Sequence, residues 1–191
     1  MFLPIRNIVR ISTAILLSFV LTIFSVSLCF AQKPMPDEHT MKAVFIERFT
    51  RFIDWPGSSL VDVSADQFVI CSLDDNTFVA SLDRVYAEQQ ILARPVRVLE
   101  NVSLEQLGKC HVLYLTGNDR TVLYETLMYV QGLPILTIGD TQGYAHQGVL
   151  INFFYIDNQL RFEINETAMR RAGFNVSYKL LSYAVIVEPL K

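Results

Sequence analysis

Gly148-Val-Leu-Ile-Asn-Phe-Phe-Tyr-Ile-Asp-Asn-Gln-Leu-Arg-Phe-Glu-Ile-Asn165, followed by Glu166-Thr-Ala-Met-Arg-Arg-Ala-Gly173, is the stretch on which the fold turns. Two apolar runs flank Asp157-Asn158, residues that tolerate positive φ and favour tight hairpin turns. In the second run Leu160, Phe162 and Ile164 fall on one face of a strand, and Arg161, Glu163 and Asn165 on the other. Asn165 suits a helix N-cap with Glu166 in the first turn, and Gly173 suits the left-handed position that ends a helix. The stretch therefore predicts a β-hairpin feeding a short helix, then a second amphipathic run to Leu181.

Upstream, strand and helix signals alternate. Asp37 caps a helix expected to run to about Ile53, with Met41, Val44, Phe45, Phe49 and Phe52 on its apolar face. Trp55-Pro56-Gly57 ends it. Strands are expected around Asp66–Leu73, Ile91–Leu99 (with Pro95 marking an edge or a bulge), Cys110–Leu115 and Ile135–Ile138. Helices are expected over Thr77–Gln89 and Asp119–Val130, with one helical turn over Ser103–Leu107. The pattern predicts an α/β fold: a single layered domain with a mixed, largely parallel sheet flanked by helices, closed by the C-terminal hairpin and helices.

The chain has 191 residues. Residues 1–31 carry Arg6 and Arg10, then the uncharged apolar run Ala14–Leu28, then Cys29-Phe30-Ala31. That run is shorter than the roughly 20 residues of a spanning helix, and it reads as a cleaved signal peptide. The expected mature domain is 32–191, and the chain is expected to be exported. Without the leader, 14 Lys and Arg face 19 Asp and Glu. An acidic chain without basic clusters argues against nucleic acid as partner.

Cys71 and Cys110 then remain. An even pair in an oxidising compartment points to a disulfide, against the alternative of two separate buried thiols. If the two strands are parallel neighbours, Cys71 near the end of one and Cys110 at the start of the other would be offset along the sheet, whereas a bridge needs Cα atoms within about 7 Å.

No catalytic constellation is legible. His39, His111 and His146 lack metal-ligand spacing. There is no Gly-x-Ser-x-Gly elbow, no Gly-x-Gly-x-x-Gly fingerprint and no P-loop, so the sequence implies no cofactor, no metal and no enzyme. The turns at Asp74-Asp75, Thr116-Gly117 and Gly139-Asp140 end predicted strands, where α/β sheets bind ligands; a small-ligand-binding protein is the alternative reading. Trp55 reads either as a partner anchor or as a core residue closing the first helix.

The stretch Ala43-Val-Phe-Ile-Glu-Arg-Phe-Thr-Arg-Phe-Ile-Asp-Trp-Pro56, the Cys71 and Cys110 strands, and Gly148 through Asn165 to Lys179-Leu-Leu181 together resemble the YfiR family of exported proteins, with its HmsC-like members. The resemblance implies an α/β homodimer in the periplasm that represses a membrane diguanylate cyclase by binding its periplasmic sensor domain, and so lowers cyclic di-GMP and biofilm formation. It also implies redox tuning through disulfides. Some relatives carry a second, later bridge; here no Cys follows Cys110, which narrows any redox role to Cys71 and Cys110. Within the matching hairpin and helix, Glu163 and Met169 correspond to positions near the partner surface. With Arg161 and Trp55 they make up the expected partner-binding set.

Overall fold

The computed structural model describes residues 37–57, 66–74 and 77–188. Residues 36–191 form one compact unit. The expected signal peptide, 1–31, lies outside the described residues, as do Asp75 and Asn76.

Residues 36–191 carry α1 (Glu38–Arg51), β1 (Ile53–Asp54), β2 (Phe68–Ser72), α2 (Thr77–Tyr86), β3 (Gln90–Ile91) and β4 (Arg94–Leu99). A 3-10 turn (Leu104–Lys109) precedes β5 (Val112–Leu115), α3 (Arg120–Val130) and β6 (Leu136–Gly139). A second short 3-10 turn (Ala145–Gln147) leads to the hairpin β7 (Ile151–Ile156) and β8 (Gln159–Asn165). Then come α4 (Glu166–Arg171), β9 (Asn175–Val176), α5 (Tyr178–Leu181) and β10 (Val185–Val187).

Eight strands form one sheet in the order β10-β8-β7-β6-β5-β2-β4-β3. Pairing is parallel except at the β7–β8 hairpin and at β3–β4. The fold is thus α/β with a mixed, largely parallel sheet, as the alternation of elements predicts. Successive residues of a strand face opposite sides, and the two faces fill two cores. Phe68, Ile70, Val112, Tyr114, Leu136, Ile138, Phe153, Phe162 and Ile164 pack with α1 and α2. Cys71, Leu113 and Leu115 pack with Leu107, Cys110 and α3.

The hairpin turn is the one its residues call for: Asp157 and Asn158 both have positive φ, at 49° and 59°. The Asn165 side chain accepts from the Ala168 N–H at 2.8 Å and caps α4, while Gly173, at φ 84°, follows its end. Asp37 caps α1 by accepting from the Thr40 N–H at 3.0 Å.

Four expectations need correction. The first helix stops at Arg51, because Ile53–Asp54 pairs antiparallel with Asn175–Val176. The second stops at Tyr86, because Gln90–Ile91 folds back on Arg94–Pro95 through Leu92 and Ala93, both at positive φ. β5 begins at Val112, not Cys110. The apolar face of α1 is also rotated: its buried residues are Lys42, Ala43, Ile46, Phe49 and Thr50, while Met41, Val44, Phe45 and Phe52 are only partly covered.

Candidate functional site

A half-open groove of about 780 Å³ lies between α1, β8 and α5. Its origin lies in α1, which carries more apolar surface than the sheet covers. Phe49 enters the core and stacks on Phe153 with ring centroids 5.6 Å apart. Val44, Phe45 and Phe52, on the flank of the same helix, form one wall instead. Leu160 and Phe162 from β8 and Leu180 with Tyr183 from the C-terminal segment complete the apolar lining.

The border of this groove is cationic. Arg48, Arg51, Arg161 and Lys179 line it against a single carboxylate, Glu47, which pairs with Arg51 along the helix. The Lys179 ammonium sits 5.3 Å from the centroid of the Phe52 ring, within cation–π range. The whole chain carries a formal charge of −3. The groove therefore reverses the sign of the molecule it belongs to.

The expected partner-binding residues do not form one cluster. Arg161 is exposed, borders the groove and donates to Gln159 Oε1 at 2.9 Å. Glu163 lies opposite Asn152 in the hairpin and accepts from Asn152 Nδ2 at 3.3 Å. Asn152 Oδ1, buried beside Gly139, has no hydrogen-bond partner. Gly139 permits that approach: a Cβ there would stand 3.0 Å from Asn152 Oδ1 and 2.9 Å from the Tyr144 ring.

Met169 has no exposed surface and belongs to the core under α4. Trp55 is half-buried, with its ring edge-on to Phe68 and Phe174 at 5.8 and 5.3 Å. It ties the end of α1 to the segment after α4.

Cys71 and Cys110 form a disulfide, with Cα atoms 5.8 Å apart and both residues fully buried. The offset anticipated for two facing strands does not arise, because Cys110 is not in a strand. It ends the 3-10 turn that packs on the same face as Cys71, so its side chain meets Cys71 from that layer.

The strand-end turns are occupied by internal bonds. The Asp140 carboxylate accepts from the Lys42 ammonium and from the Tyr114 hydroxyl, each at 2.7 Å. Lys42 also pairs with Glu38 at 2.6 Å. Burial, the largest influence on Lys42, lowers its pKa, but the bonds to Asp140 and Glu38 outweigh it and hold the group above its ordinary value. The Gly117 carbonyl accepts from the Thr141 and Tyr144 hydroxyls. The cavity left at Asp74, Thr116, Gly117 and Tyr144 is about 120 Å³, below the roughly 300 Å³ at which ligand pockets begin.

The histidines have separate local partners. His111 Nδ1 accepts from the Val69 N–H at 2.9 Å, His146 Nδ1 lies 3.0 Å from the Glu188 carbonyl, and the His39 ring meets Phe78. Among the described residues no group of three or more His, Cys, Asp or Glu could hold a metal ion, and no helix is long and apolar enough to cross a membrane.

Sequence reasoning missed the groove. Its signal lies in Val44, Phe45 and Phe52, which the helical spacing places on one apolar face with Met41 and Phe49. A helix with apolar residues on two adjacent flanks has one flank more than a single sheet contact can cover.

Comparison with known proteins places these features. A family model described as YfiR/HmsC-like matches residues 39–185. Among solved structures, a conserved domain protein from Vibrio cholerae O1 biovar El Tor superposes with a TM-score of 0.56 at 11% sequence identity. The match covers 78% of this chain and 60% of the Vibrio protein, and at that identity it shows a shared fold. No curated protein matches the sequence.

Proposed function

We propose a function from one premise: the chain belongs to the YfiR/HmsC-like family. It acts as a periplasmic negative regulator that binds the periplasmic sensor domain of an inner-membrane diguanylate cyclase and holds cyclic di-GMP synthesis, and with it biofilm formation, down. The family match over nearly all of residues 36–191 is the observation that carries this reading. The rest of the molecule agrees with it. The large open groove has an apolar lining and a charged rim, the mixture found at protein interfaces, and Arg161 and Glu163 stand on the hairpin that borders it. Trp55 and Met169 hold the adjoining segments in place.

The Cys71–Cys110 bridge is the redox-responsive part of this account. Reduction would release the 3-10 turn from β2 and loosen the second core, lowering the folded population available to the partner. The protein works as a homodimer, as the family resemblance implies. It needs no cofactor or metal and has no catalytic role.

The test is cellular. Cyclic di-GMP is measured in cells making the cognate cyclase with and without this chain. Lower cyclic di-GMP when the chain is exported supports the reading; equal levels at matched cyclase abundance sink it.

A further inference from the structure

We infer that the groove between α1, β8 and α5 seats an acidic amphipathic helix presented by a partner protein. This deepens the proposed function, on which it rests, by assigning the partner's recognition element and the surface that takes it.

Three observations carry the inference. The first is shape. The wall from Val44 on α1 to Phe52 at its C-cap spans eight residue steps, about 12 Å at 1.5 Å per step. That is the length of two helical turns, the span over which a docked helix places i, i+3 or i+4, and i+7 anchors. A volume of about 780 Å³ accommodates several such side chains.

The second is the lining. Val44, Phe45, Phe52, Leu160 and Tyr183 lie partly or largely open to solvent around a floor of Phe49, Phe162 and Leu180. Tyr183 is 69% exposed. Aromatic side chains of this kind bury large areas on association and lead the energetics of interfaces.

The third is charge. Four cations, Arg48, Arg51, Arg161 and Lys179, border the groove against Glu47 alone, on a chain whose net charge is negative. Such a rim attracts carboxylates and repels a basic helix, fixing the sign of the partner. The remainder of the acidic surface would repel the same partner, so the groove is where an acidic helix gains most.

Two fluorescein-labelled 18-residue helical peptides test this by anisotropy against the purified protein. Both carry Leu and Phe along one face; one has Glu and the other Lys on the polar face. The Glu peptide is expected to bind at least tenfold more tightly than the Lys peptide, with affinity falling as salt rises. Arg48→Glu with Lys179→Glu should weaken it at least tenfold, while Arg97→Glu, an exposed cation outside the groove, should change it less than twofold.

Equal binding of the two peptides, no binding of either, or equal loss in the Arg97→Glu control overturns the inference. So does laurate binding with the same variant sensitivity when neither peptide binds, which would make the groove a site for a small anionic amphiphile. A dimer in sedimentation that is lost in the double variant would assign the groove to a second copy and also overturn it. A parallel titration with the cyclase's periplasmic domain separates this inference from the function. If the domain binds and the double variant retains that affinity, the groove assignment fails and the regulator reading stands. If the domain does not bind at all, the regulator reading fails, and the peptide result alone decides the groove.

Discussion

The ammonium of Lys42, on the buried side of α1, lies 2.7 Å from the carboxylate of Asp140, which follows the last residue of β6. The Lys42 side chain is 5% exposed and that of Asp140 23%. This pair, with the Tyr114 hydroxyl on the same oxygen, fixes the helix that forms the groove wall to the strand ends of the sheet. Lys42→Met should leave the Asp140 carboxylate short of its counterion. Breaking a buried pair costs 3–5 kcal/mol in general, and the partial exposure of Asp140 puts the expected loss near the lower end, about 3 kcal/mol. Urea unfolding reads it. The double variant Lys42→Met with Asp140→Asn should recover more than half of the loss; a change under about 0.5 kcal/mol in the single variant would contradict the assignment.

The same cluster sets the response to alkali. Tyr114 is pushed above the ordinary phenol value of 10.0 by burial and by the neighbouring Asp140 carboxylate. Tyr86, whose hydroxyl donates to the Ala43 carbonyl, is pushed up by burial and by Glu47. Lys42 is held above 10.5. All three folded pKa values are raised, so their contribution is complete below the unfolded values and is lost as pH rises through the folded ones. The urea midpoint should stay level from pH 7 to about 9.5 and fall above about 10, and Tyr114→Phe should make the fall shallower. A decline beginning near pH 8 would mean that other groups control the alkaline limit.

The Cys71–Cys110 bridge joins residues 39 apart in sequence. A loop of that length restrains the unfolded chain by about 4 kcal/mol in the chain-entropy model. Cys71→Ala with Cys110→Ala should lower stability by about that amount, read as a shift in the guanidinium midpoint. In a preparation lacking residues 1–31, thiol titration of the denatured, unreduced protein should find no free thiol; two would refute the bridge.

What the sequence disclosed was local. The Asp157-Asn158 turn, the Asn165 cap and Gly173 each carry their conformational preference in their own side chains, and the structure bears them out. The alternation of strand and helix was enough for the α/β class. What was not legible depends on contacts between distant segments. β1 and β9 are two-residue strands that exist because Ile53 meets Val176. β10 is a three-residue edge strand recognisable only beside β8. The Leu92-Ala93 turn uses residues with no turn preference, held at positive φ by the β3–β4 pairing. Lys42 reads as a surface residue until the fold brings Asp140, 98 positions later, against it. The groove was hidden for a related reason: Val44, Phe45 and Phe52 have the spacing of a core face, and only the rotation of α1 on the sheet shows which apolar flank is left open.

A regulator that works by binding must associate with its target, and calorimetric titration measures that association. The oxidised protein is titrated with the purified periplasmic domain of the diguanylate cyclase from the same organism. A saturable association is expected, weakened when Cys71 and Cys110 are reduced. No association in either the oxidised or the reduced state would contradict it.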